Sequence, residues 1–181
     1  MCHFVTGVVS GKITLEEINA VGREFNLRFQ IFQNEFVQKQ LQDGEIYIQK
    51  LCGVCDCDTP IGMLNRNYGN HVKRAKDSDI EKLKRKGWSG MKIQRYMDGK
   101  NKKAEQVAKA PAESEIRKWT DFLEKLFAET SVKAFGILLH FYSGGIEAER
   151  TTINKRVPIK KSELTARHLL EIEEDALYIV A

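Results

Sequence analysis

The run Cys52-Gly-Val-Cys-Asp-Cys-Asp58 places three thiols, Cys52, Cys55 and Cys57, within six residues. If the chain curls after a strand, the three sulfurs converge on one point, and zinc is the cation that such soft thiolates suit. Asp56 and Asp58 bear on the choice of chemistry. A neighbouring carboxylate disfavours a thiolate and blunts it as a free nucleophile, whereas a bound dication reverses that penalty. A closed tetrahedral site needs a fourth ligand. Cys2 is one candidate, through pairing of the first strand with the strand that precedes Cys52. His71, fourteen residues after Cys57, is another. His3 is expected on the opposite face from Cys2 in a regular strand. Two further readings stay open: thiols packed as small apolar groups, and a thiol-dependent enzyme using Cys2 or Cys55. Removal of Met1 would leave an N-terminal cysteine, a nucleophile with its own amine as base.

The second chemistry is electrostatic. Net charge is +4, yet residues 71–109 hold thirteen Lys and Arg against five Asp and Glu, a local +8 that leaves −4 for the rest. Such a block attracts phosphates or an acidic protein face; a solvated helical face is the plainer reading. Lys82, Lys84, Arg85, Lys92 and Arg95 are the cations expected to meet a nucleic acid, by phosphate contacts rather than base readout. Residues 84–97 are similar to the front half of some helix-turn-helix units, with Gly87-Trp88-Ser89 as the turn and Ile93 and Met97 four apart. Gln94 stands where a small residue usually marks the helix crossing, and Asp98-Gly-Lys-Asn-Lys-Lys103 replaces the apolar turn that follows. A helical hairpin with Trp88 packed on the sheet accounts for the same residues. His140, in an apolar strand, reads as a satisfied core histidine, and His168 beside Glu171 as a surface pair. No Ser-His-Asp spacing or phosphate-cradling glycine loop is present, so nothing proposes a reaction.

The elements that must position these groups are legible in outline. Residues 3–9 are a β-branched strand. Thr14-Leu-Glu-Glu17 is in capping-box register for a helix with Leu15, Ile18, Val21 and Phe25 on one face. A strand near 27–32, a short helix capped by Asn34 and an alternating strand over 45–51 follow. The first sixty residues thus read β-α-β-α-β and lead into the cysteines. The middle, 70–130, is helical and basic: a helix over 79–86 ending at Gly87, one capped by Ser89, a lysine-rich loop or frayed helix over 100–110, a break at Pro111, and a helix over 113–129. Residues 132–142, apolar on both faces, form a central strand. Gly144-Gly145 suggests a hairpin into 147–157. Thr165 opens a short helix and 176–180 is a last strand. The expected class is α+β: a mixed, mostly antiparallel sheet with packed helices and a charged helical hairpin in the middle, one domain over 1–181.

A chain of 181 residues with 42% hydrophobic content folds on its own core without disulfides. No apolar run reaches the roughly 20 residues of a membrane span, and no secretory leader opens the chain. The cytoplasm is the expected compartment, where four cysteines are thiols or metal ligands. Met1 to Phe4, Tyr47 to Leu51, Cys55-Asp56-Cys57, Gly87-Trp88-Ser89 and Leu177-Tyr178 together resemble a family of small uncharacterised bacterial proteins. Its members open Met-Cys-His-Phe and carry an internal Cys-Asp-Cys. The resemblance implies a bacterial domain in which Cys2 and the Cys55–Cys57 segment meet; Asp58 stands where that family has glycine. Met1-Cys2 also resembles the start of glutamine amidotransferases, over two residues only. The reading that results is a non-enzymatic binding or accessory protein with a zinc site at Cys55, Cys57, Cys52, Cys2 or His71, acting on a protein partner.

Overall fold

The computed structural model describes residues 2–51, 55–63 and 80–181, with the backbone alone at 58, 63 and 100–112. The strands are β1 (Cys2–Gly11), β2 (Phe29–Ile31), β3 (Glu45–Lys50), β4 (Val132–Tyr142), β5 (Lys155–Ile159) and β6 (Ala176–Val180). They form one sheet in the order β2-β3-β1-β4-β6-β5. Every pairing is antiparallel except β5 with β6. This is the α+β architecture, with a mixed, mostly antiparallel sheet, that the sequence led us to expect. As the doubly apolar pattern of 132–142 requires, β4 lies inside the sheet between β1 and β6.

The two faces are covered differently. On the first, Val5, Val9, Ile48, Phe135 and Ile137 meet α1 (Leu15–Glu24), α5 (Gly90–Glu129) and α6 (Ala166–Leu170). Helix α1 starts where the capping box demands: Glu17 N–H donates to Thr14 Oγ1 at 3.2 Å, and Thr14 N–H donates back to Glu17 Oε2 at 2.7 Å. Asn19 then donates to Phe29 O at 2.9 Å and accepts from Phe29 N–H at 2.7 Å. Its amide fills the place of a missing neighbour on edge strand β2. Ile116, Trp119, Phe122, Leu123 and Leu126 of α5 are wholly buried at helical spacing. Phe29 and Phe135 pack edge-on or stacked against Phe122.

On the second face Val8, Tyr47, Leu138 and Leu177 pack with Phe32 and Val37 beneath α2 (Glu35–Gln38) and a strap over 143–154 that adds Ile146 and Ile153. Asn34 serves both: its Oδ1 accepts from Phe36 and Val37, capping α2, while its Nδ2 donates to the carbonyls of Ile146 and Glu149, each at 2.9 Å. Gln40 and Arg156 complete the fastening, through Gln40 Nε2 to Thr151 O at 2.9 Å and Arg156 to both oxygens of Glu45. The hairpin expected after Gly144-Gly145 is therefore absent. Residues 143–154 cross the sheet face instead, because Glu149 caps the end of β4 through the N–H groups of Ser143 and Gly144.

The middle also departs from expectation. Residues 80–85 are helical (α4), Gly87 turns at φ +76°, and Ser89 caps α5 through Lys92 N–H. The break at Pro111 does not occur: α5 is one helix of 40 residues, about 60 Å long at 1.5 Å per residue. Proline deletes one helical hydrogen bond there, about 3 kcal/mol. Alanines at 104, 108, 110 and 112 favour helix on either side, and the buried stretch after Ile116 anchors the end. Trp88 packs on α5 rather than on the sheet, edge-on to Tyr96 with ring centroids 5.6 Å apart. Among the described residues no helix is long and apolar enough to cross a membrane.

Candidate metal centre

Strand β1 runs past the end of β3. Thr6 is opposite Gln49, so the N–H groups of His3 and Val5 lie beyond the strand that would otherwise accept them. The loop after β3 returns to fill that gap. Val5 N–H donates to Asp56 Oδ2 at 2.8 Å, and His3 N–H donates to Cys57 Sγ at 3.2 Å. Both orphan donors at the edge are satisfied by the Cys-Asp-Cys segment itself. The loop holds this shape through a 3₁₀ turn (Asp56–Asp58) running into α3 (Pro60–Met63). Thr59 caps α3 by accepting from Gly62 N–H at 3.2 Å, and Pro60 sits at the first helical position, where its missing N–H costs nothing. A Cβ at residue 62 would lie 2.0 Å from the carbonyl oxygen of Asp56, so only glycine lets the turn close.

This closure brings three thiols together. The sulfurs of Cys2, Cys55 and Cys57 all lie within 4.8 Å of one another, each residue half-buried. A tetrahedral zinc with bonds of about 2.3 Å needs neighbouring sulfurs about 3.8 Å apart, a contraction of an ångström or less. The N–H to Cys57 Sγ bond is the kind of outer contact that orients a thiolate ligand. Burial pushes the Cys57 thiol up; the His3 N–H works against that, and the neighbouring Cys55 and Cys2 reinforce it. The crowded Cys57 thiol therefore resists ionising, and a dication supplies the missing charge. Cys52 and His71, the other proposed ligands, lie outside the described residues. So do Lys73, Arg74 and Lys76 of the basic segment.

One part of the sequence argument changes. Asp56 does not act as a carboxylate pressing on the thiols. It is buried, with 1% of its side chain exposed, and is paired with the Lys50 ammonium at the end of β3. Its other oxygen holds Val5. The alternation of 45–51 carried Lys50 as an ordinary strand residue, and nothing in the spacing marked it as the partner. The His3 side chain is not part of the cluster: its ring lies against Phe141 and its Nε2 is 3.7 Å from Glu174.

A second polar group sits on β4. His140 is buried, with Nδ1 bonded to Asp175 and Nε2 4.0 Å from Glu149 Oε1. Among the described residues that buried Nε2 has no hydrogen-bond partner, so the histidine is only half satisfied. Beside it Tyr47 donates to Thr6 Oγ1 at 2.9 Å and lies 3.4 Å from the Tyr142 hydroxyl. Burial pushes both phenols up, leaving them neutral donors. No described hydroxyl or thiol reaches His140 Nε2. His168 is a cap, accepting from Thr165 N–H at 3.1 Å, while Glu171 pairs with Arg167.

Comparison of the chain with protein-family models, curated proteins and solved structures finds no match.

Proposed function

We infer that Cys2, Cys55 and Cys57 bind one zinc ion that clasps the first strand to the loop after β3. The chain then acts as a non-enzymatic binding or accessory protein for a protein partner. The observation that carries this reading is the convergence of three sulfurs from two distant segments, all within 4.8 Å of one another. Cys52 or His71 would supply a fourth ligand and close the site, as structural zinc requires. Bound zinc would supply structural cross-linking. The residues of the chain do the rest: Asp56 and Lys50 hold the loop, Gly62 lets it turn, and the His3 N–H orients Cys57.

Native mass spectrometry with elemental analysis, on protein purified without a metal-affinity column, tests it. One zinc per chain, lost in Cys57→Ser and in Cys55→Ser, is the expected result. Metal-free protein whose unfolding midpoint moves with neither zinc nor chelator would overturn it. Rapid, selective alkylation of Cys2 or Cys55 near neutral pH would favour a thiol-dependent enzyme instead.

A further inference from the structure

The surface formed by α4, the Gly87 turn and the start of α5 carries the strongest feature that the zinc reading does not use. Between residues 80 and 97 stand six cations, Lys82, Lys84, Arg85, Lys86, Lys92 and Arg95, against one carboxylate, Glu81. All six are exposed. Glu81 is paired with Lys84 at 3.1 Å, and Asp98, just beyond, is bonded by Gln94 at 2.9 Å. Within this field Trp88, just before the Ser89 cap, meets Tyr96 of α5. Lys92 Nζ sits 4.2 Å over the Trp88 ring, and Tyr96 meets the same indole edge-on. Tyr96 is 47% exposed and Met91 77%, while Ile93 and Met97 of the same helix turn inward and fix which side faces out.

We propose that this face binds single-stranded nucleic acid, with a base stacked on the Tyr96–Trp88 platform and the phosphates held by Arg85, Lys92, Arg95 and their neighbours. Two observations select a single strand. The exposed Tyr96 ring beside the half-buried Trp88, in a segment rich in exposed cations, offers a π-face to an unstacked base, which a duplex does not present. The helix-turn-helix alternative also fails, because α5 continues unbroken to Glu129 and no separate recognition helix follows Met97. Lys92 is placed to leave the indole for a phosphate when a base takes over the ring.

Fluorescence anisotropy of the full chain with labelled oligo-dT and oligo-U of roughly twenty nucleotides tests the proposal. Duplex of the same length and vesicles of phosphatidylserine serve as the competing partners. The expected result is binding to both single strands, weaker binding to duplex, and a log–log salt slope of about −3 for four phosphate contacts. Tyr96→Ala should weaken binding about 10-fold, Tyr96→Phe should leave it intact, and Arg85→Ala with Lys92→Ala should flatten the slope by about 1.4. These side chains are exposed, and an unchanged circular dichroism spectrum certifies each variant as folded. Equal affinity for duplex, or a Tyr96→Ala variant that binds like the parent, would overturn the stacking platform and leave general polyanion attraction. Binding to vesicles but to neither oligonucleotide would overturn the proposal in favour of a membrane surface.

Discussion

Asp56→Ala removes two things at once: the counter-ion of a buried ammonium and the acceptor of a strand-edge N–H. The side chains of Lys50 and Asp56 are 9% and 1% exposed. An unpaired charge at that depth costs about 3–5 kcal/mol. Leaving Val5 N–H without its 2.8 Å acceptor costs about 1–3 kcal/mol alone. The two share one carboxylate and do not simply add, so we expect a loss of about 4 kcal/mol. That is a large share of the roughly 5–15 kcal/mol that holds a domain folded. With a urea m-value of about 2 kcal/mol/M, the midpoint falls by about 2 M. Lys50→Met alone strands the carboxylate and should also destabilise. The double variant Lys50→Met with Asp56→Ala buries no charge and should recover most of the loss, giving a coupling of about 2–3 kcal/mol. Urea unfolding of the four proteins measures it, with metal chelated so that zinc linkage does not enter. Additive single effects, with coupling below about 0.5 kcal/mol, would refute the buried pair as the anchor of the loop.

Two further outcomes follow from other contacts. Gly62→Ala should destabilise by about 1–3 kcal/mol and lower zinc stoichiometry, because its Cβ meets the Asp56 carbonyl at 2.0 Å; Gly99→Ala, with open space at its Cβ, is the control and should be neutral or stabilising. The Arg156 guanidinium holds the Glu45 carboxyl below its ordinary value. The folded state thus favours the carboxylate, and the stability it adds is present above the ordinary carboxyl pKa and lost as pH falls through the lowered one. Glu45→Gln should cost about 1.5–3 kcal/mol at neutral pH and flatten that part of the acid limb in thermal unfolding, with parallel limbs in both proteins counting against the pair.

What could be read in advance was whatever local chemistry decides. Thr14 and Glu17 announced a capping box, Asn34 a cap, and the apolar run through Leu138 an interior strand; each depends on neighbours within a few residues. The meeting of Cys2 with Cys55 and Cys57 was partly legible, since the first strand could be expected to lie beside the strand that leads into the cysteines, as β1 and β3 do. Its stabilisers were not. The Lys50–Asp56 pair joins residues that carry ordinary surface chemistry in the sequence, and the core histidine read at His140 is only half satisfied, by Asp175. Pro111 misled because its local penalty, about 3 kcal/mol, is smaller than what the buried face of α5 recovers. Gly144-Gly145 misled because the cap from Glu149 turns the chain onto the sheet face, where a hairpin signal has no way to register it.

The strap over 143–154 has a consequence for how the protein is made. Its fastenings to Asn34 and Gln40, with the adjoining bond from Arg156 of β5 to Glu45, span 111 to 115 residues of sequence. While the ribosome is still extending the chain toward residue 156, the patch of Phe32, Val37 and Tyr47 has no cover. Contacts of such separation close late and slowly. For that interval the nascent chain carries a sticky aromatic face beside an incomplete sheet, a natural site for chaperone capture. Once the strap closes, the same residues are sealed, and the second face changes from a liability during synthesis into a latch of the finished fold.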